Sequence, residues 1–198
     1  MTVVIVGMGN PGKEYERTRH NAGRMAVTAF AKGEEFPDFV FNKKANAHTA
    51  EYSLGGEKVV LVLPETFVNA SGKAVAPFVK SVKAAKTLVV VRDDLDLPVG
   101  VVKMTFARGS GGHKGVESIM RALKTDAFAQ IKIGISPATA KGKVKKPSGE
   151  EKVIKHVLGK FSPKEEPLLK RALKKVAAAL HLFAEEGMEK AMQEANTR

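Results

Sequence analysis

Three short aliphatic runs constrain this chain more than any other feature: Val3–Val6, the stretch Lys58–Leu63 and Leu88–Val91. Each is dominated by valine and leucine, with no polar residue interleaved once the run has started. β-Branched residues favour extended backbone, and a run without alternation has no face to offer water. Such runs read as strands buried on both faces, which places them at the parallel centre of a sheet covered by helices. Each run also ends abruptly, at Gly7, at Pro64 and at Arg92-Asp93-Asp94.

The segments between them carry helical spacing. Ala22, Met25, Ala26, Ala29 and Phe30 share one face of a helix that Gly33 can end. Val75, Phe78, Val79 and Val82 repeat similarly, and Pro77 should kink or break that helix. Val116, Ile119, Met120 and Leu123 follow the glycine-dense Gly109–Gly115 at i, i+3, i+4, i+7. Phe39–Asn42 and Ala47–Ser53 are short strand candidates, and Leu54-Gly55-Gly56-Glu57 is a turn making a hairpin with Lys58–Leu63. Val99–Ala107 alternates, and Gln130–Ile135 is the last strand, with Ile131 and Ile133 inward and Lys132 outward. Ser136–Gly149 is a loop rich in Lys, Pro and Gly. Ser162-Pro163-Lys164-Glu165 reads as a capping box opening a final long helix, with Leu169, Ala172, Val176, Leu180 and Phe183 as its buried stripe and Gly187 as its end. The expected fold is α/β: a single domain over residues 1–198, with a mixed twisted sheet of about seven strands and helices on both faces.

Composition narrows the partners. Lys and Arg number 33 against 21 Asp and Glu, a formal charge of +12. That surplus points to a polyanion, nucleic acid first. The absence of cysteine excludes disulfides, thiolate catalysis and Cys-based zinc sites. No apolar run approaches the ~18 residues of a membrane span, and no basic-apolar leader precedes Val3, so a soluble cytoplasmic protein is expected.

The chemistry sits where the strands end. Asn10 follows the first run, Asn69 the second and Asp93 the third. If these strands are parallel neighbours, the three side chains meet at one sheet edge, where open α/β sheets build sites. His20 returns to that edge through the first loop. A neutral imidazole can take a proton from water, a carboxylate can fix its tautomer, and amides can donate to an oxyanion. No Ser or Cys occupies a strand-to-helix elbow, so direct attack by activated water is the simplest reading. Taken singly, Asn10, Asn69 and the acids are ordinary turn or cap residues; their conjunction carries the argument. Two other readings are weaker. Gly7, Gly9 and Gly12 fit the dinucleotide fingerprint, but Pro11 interrupts it and no acid closes a following strand. Asp93, Asp94 and Asp96 could hold a divalent ion in a metal-assisted nuclease. His48, His156 and His181 read as structural or surface residues.

Gly7-x-Gly9-Asn10-Pro11-Gly12, Thr18-Arg19-His20-Asn21-x-Gly23, Thr66-Phe67-x-Asn69-x-Ser71-Gly72, Asp93-Asp94-Leu95-Asp96-Leu97-Pro98 and Gly111-Gly112-His113-x-Gly115 together resemble bacterial-type peptidyl-tRNA hydrolases. The motifs occur in the family's order and span nearly the whole chain. The resemblance implies a monomeric esterase without metal or cofactor, which cleaves the ester between a peptide and the terminal ribose of tRNA. Carried over by position, it implies that His20 is the general base and Asp93 its orienting acid. Asn10 would act with them, and Asn69 would hold the peptide or the oxyanion. Phe67, Val68, Tyr15, His113 and Lys114 would border the substrate, His113 in a gate loop. Lys103 and Lys132 would meet tRNA phosphates. Four positions depart from the family's habit. Lys114 stands where Asn is usual, Val68 where Met is, Thr105 where a basic residue is and Lys132 where Arg is. Lys114 cannot accept a hydrogen bond, and Lys132 lacks the bidentate fork. Lys114 is also the sole support for the alternative, a catalytically impaired tRNA- or RNA-binding relative of the same fold.

Overall fold

A computed structural model describes residues 2–139 and 143–197. Seven strands form one sheet: β1 (Thr2–Gly7), β2 (Val40–Asn42), β3 (Ala47–Leu54), β4 (Glu57–Pro64), β5 (Leu88–Pro98), β6 (Val102–Phe106) and β7 (Ala129–Ser136). Their spatial order is β2-β3-β4-β1-β5-β7-β6. The three aliphatic runs are adjacent, with β1 parallel to β4 on one side and to β5 on the other. β7 adds a fourth parallel strand against β5, while β2, β3 and β6 pair antiparallel at the margins.

Alternation along each central strand divides the core in two. Val3 and Ile5 of β1 join Leu61, Val91 and Ile131 beneath helices α1 (Ala22–Gly33), α6 (Glu166–Glu185) and α7 (Met188–Asn196). Val4 and Val6 join Val62 and Val90 beneath α2 (Ser71–Val75), α3 (Val82–Ala85) and α4 (Lys114–Leu123). Helices therefore cover both faces, as the strand composition requires. The hairpin turn also forms as expected: Gly55 and Gly56 both take positive φ, at 58° and 77°, and Leu54 pairs with Glu57.

Several local expectations are corrected. Pro77 does more than kink its helix: α2 stops at Val75 and a separate turn of helix starts only at Val82, whose side chain is exposed. Without its N–H, proline cannot continue the ladder. In α1 the buried position is Val27, not Ala29, which faces solvent. The backbone hydrogen bonds of β5 run on through Asp93, so that acid lies within the strand rather than after it. The Ser162–Glu165 box closes a turn, not the helix itself: Ser162 donates from both N and Oγ to the Glu165 carboxylate. Arg19 holds the same carboxylate, and α6 starts at Glu166 with a proline in its first turn. Nor is α6 the last helix. α7 buries only Ala191 and Ala195, too little for a bulky apolar stripe. The other unanticipated helix, α5 (Glu150–Val157), buries no residue and lies over the carboxyl edge of the sheet. Lys141 of the lysine-rich loop lies outside the described residues. On either side of it, Ala138 bridges Val144.

Candidate active site

The carboxyl ends of β1, β4 and β5 supply the site. Met8 leaves β1 still bonded to β5, its N–H donating to Val91 O, and its carbonyl accepts from Arg24 at the start of α1. The loop between them turns through Thr18, whose hydroxyl and N–H both donate to Tyr15 O. A short 3-10 turn at Arg19–Asn21 then places His20 beside Asp93. Gly23 allows this approach, because a Cβ there would overlap the Val91 carbonyl.

His20 Nδ1 lies 2.9 Å from Asp93 Oδ1, and His113 Nε2 lies 3.0 Å from the same oxygen. The carboxylate can only accept, so both ring nitrogens donate. The two imidazoles are nevertheless unlike. His113 caps α4, with its Nδ1 accepting from Val116 N–H at 3.3 Å. Both ring nitrogens are thus committed, one as donor and one as acceptor, and this fixes the neutral Nε2–H tautomer. Burial pulls the His113 pKa down further; Asp93 opposes this, and the positive charge of Arg92 reinforces it. Of His20 only Nδ1 has a partner among the described residues, Nε2 having none there. Burial pulls its pKa down too, but the charge and hydrogen bond of Asp93 outweigh that and hold it above the ordinary imidazole value. Asp93 itself, 2% exposed, is pushed up by burial yet held far below the usual carboxylate range by the two imidazoles. Two like groups are thereby driven to opposite roles by their surroundings.

The sequence-predicted residues do not all join this cluster. Asn10 is buried and structural on one side: its Oδ1 accepts from Val68 N–H at 3.0 Å, and its backbone exchanges two hydrogen bonds with the Asn21 amide. Only its Nδ2 has no partner among the described residues. Asn69 lies exposed in the 3-10 turn Val68–Ala70, and Phe67 beside it is 61% exposed. Val68 is buried under α4, and Tyr15 is half-buried in the first loop. The cavity at the histidines, about 230 Å³, takes in none of these five. It runs the other way, from His20, Asp93 and His113 past Lys114 to the apolar face of α5, where Val153, Ile154 and Val157 wall it. That wall escaped sequence reading, although three apolar residues at i, i+1 and i+4 were there to be seen. Lys114 starts α4, largely exposed and 3.5 Å from Glu117. Of the three acids proposed for a metal, Asp94 pairs with Arg92 at 3.1 Å and Asp96 with Lys146 at 2.6 Å, so they do not converge. His20, Asp93 and His113 do offer ligand atoms within 4.8 Å of one another. As they stand, His20 Nδ1 and His113 Nε2 donate to Asp93 and offer a cation no lone pair.

A basic row crosses the sheet next to this cavity. Arg92, Lys132 and Lys103 are in register on β5, β7 and β6. Burial, then the neighbouring Arg92, holds the Lys132 pKa below its ordinary value. Thr105, on the same face of β6 as Lys103, buries a hydroxyl with no partner among the described residues.

Fold and site together define an α/β enzyme with acid–base groups at the carboxyl edge of a parallel sheet. The chain belongs to the peptidyl-tRNA hydrolase family, whose sequence profile matches residues 4–198. The peptidyl-tRNA hydrolase of Aquifex aeolicus is 38% identical over 194 residues, which cover 98% of this chain and 95% of that one. That of Listeria monocytogenes is 40% identical over 183 residues, 92% of each chain. The crystal structure of peptidyl-tRNA hydrolase from Acinetobacter baumannii superposes with a TM-score of 0.87 at 31% identity, covering 99% of this chain and 95% of that one.

Proposed function

We propose that this chain hydrolyses the ester of peptidyl-tRNA with a water activated by His20. The observation that carries this is the His20–Asp93 bond: with Nδ1 donating to the carboxylate, the lone pair is on Nε2 of a residue that lines the cavity. Nε2 takes a proton as the water oxygen attacks the ester carbonyl. Asp93 stabilises the imidazolium, which then returns the proton to the departing ribose oxygen. Asn10 Nδ2 and Asn69 are the amide donors for the peptide or the oxyanion, with Phe67, Val68 and Tyr15 along the peptide and Lys114 at the cavity mouth. Lys103 and Lys132 take tRNA phosphates. His113, in the gate loop, acts also as the second hydrogen-bond donor to Asp93. On this reading the chain works as a single-domain cytoplasmic monomer, without metal, cofactor or membrane.

The test is hydrolysis of N-acetyl-aminoacyl-tRNA, with the unacetylated form as control. The expected result is cleavage of the acylated form alone, reduced ~10²–10⁴-fold or more by His20→Ala. Tight tRNA binding without cleavage would overturn the proposal in favour of the impaired relative. Recovery in Lys114→Asn would then locate the defect.

A further inference from the structure

A buried guanidinium lies directly beneath this site, and the proposed reaction leaves it unused. Arg92 is 3% exposed. Burying such a charge is costly unless acceptors surround it. Its acceptors are not a random set. Nη1 donates to the backbone carbonyl of Asp93 at 2.7 Å and lies 3.1 Å from Asp94 Oδ2. Nη2 donates to Ser110 O at 3.4 Å, and Nε to Gln130 Oε1 at 3.2 Å. Gln130 is wholly buried, and its Nε2 donates onward to Arg108 O at 2.6 Å and to Gly109 O at 3.3 Å. Three successive carbonyls of the glycine-rich loop are therefore held by one Arg–Gln pair. Ser110 O also accepts the backbone N–H of His113 at 3.1 Å.

We propose that Arg92, seconded by Gln130, is a positioning residue that sets the separation of Asp93 from His113. It grips the Asp93 main chain with one nitrogen and the carbonyl that anchors His113 with another. The glycines that follow, Gly111 and Gly112, both at positive φ, give the loop no side-chain packing of its own. Its height over β5 thus depends on these polar ties. Lysine could supply the charge but not the fork, since one ammonium cannot reach acceptors on β5, β7 and the loop together. The charge has a second, smaller effect: burial does most to disfavour a proton on His113, Asp93 opposes it, and Arg92 adds to the burial.

This rests on the hydrolytic reading of the site, and the experiment separates the two. Arg92→Lys is assayed on N-acetyl-aminoacyl-tRNA, and the ring N–H protons of His20 and His113 are followed by NMR. The expected result is a kcat lower by roughly tenfold or more, since ångström-scale misplacement costs up to ~10²-fold. KM should stay within about twofold and both ring-proton resonances should move. Gln130→Met, which frees the loop without touching Asp93, should shift the same resonances with a smaller kcat loss, and it decides the matter should Arg92→Lys not fold. A merely structural role would lower the melting temperature while leaving kcat per folded molecule and the ring resonances unchanged; that result overturns the proposal, as does a change in KM alone. Were the wild type inactive on the ester, the hydrolytic reading would fail, and the ring resonances would still report on Arg92.

Discussion

Asp93 Oδ1 serves two imidazoles at nearly equal distances, and what distinguishes them is the fate of each ring's other nitrogen. His113 spends it on the first turn of α4, while His20, a residue of the cavity wall, has no partner for it among the described residues. His20 and Asp93 were legible in the sequence as residue types suited to acid–base chemistry, although Asp93 lies within β5 rather than after it. The bond from His113 to Asp93 was not, because nothing in Gly-Gly-His-Lys says where that helix docks. The shifts predict the pH profile. His20 must be neutral to act, and its pKa is held above the ordinary 6.5, so kcat/KM should rise with pH through an inflection above that value. Asp93→Asn removes the charge that opposes burial, so the inflection should move down while turnover drops; an unmoved inflection would assign it to another group. Stability follows the same signs. The contribution of His20 is complete below 6.5 and is lost as pH rises through its raised pKa. That of Asp93 is present above 3.8 and is lost as pH falls through its depressed value. His113, kept neutral, makes the fold lose stability as pH drops below 6.5.

At the scale of elements, β5 organises the site. Its aliphatic half is core, and its polar half carries Arg92, Asp93 and Asp94 without leaving the sheet, because β7 continues to pair with it. α1 must pack close against β5 for His20 to reach Asp93, and Gly23 is the contact. Gly23→Ala is therefore expected to destabilise the fold by about 3 kcal/mol, at the top of the usual range for overpacking, and to lower activity with it. Gly33→Ala is the control, since a Cβ there meets nothing and the backbone is ordinary helix. It should be neutral or stabilise by up to ~1 kcal/mol. Thermal melts of the two variants check both. Elements with bulky periodic stripes were readable from sequence. α5 and α7 were less so: α5 shows only the short apolar set Val153, Ile154 and Val157, none of it buried, and α7 buries only alanines.

For the whole molecule, part of the formal charge of +12 becomes a directed feature once Lys132 and Lys103 stand in register on neighbouring strands, next to the buried Arg92. KM for peptidyl-tRNA should climb steeply with salt, and replacing Lys103 and Lys132 by Ala should flatten the log–log slope by roughly two, about one per phosphate contact. An unchanged slope would place the phosphate contacts elsewhere. By itself the sequence determined the layers: valine-rich runs with no face for water must lie inside a parallel sheet, and amphipathic stripes must cover it. It also showed which polar residues follow the aliphatic runs, although β5 continues through Asp93 to Pro98 and Asn69 lies beyond β4 in a 3-10 turn. Only the tertiary structure decided which of those residues share a hydrogen bond. That depends on strand order, on the approach of α1 through Gly23 and on the docking of α4, all of them contacts between segments distant in the chain that no local pattern encodes.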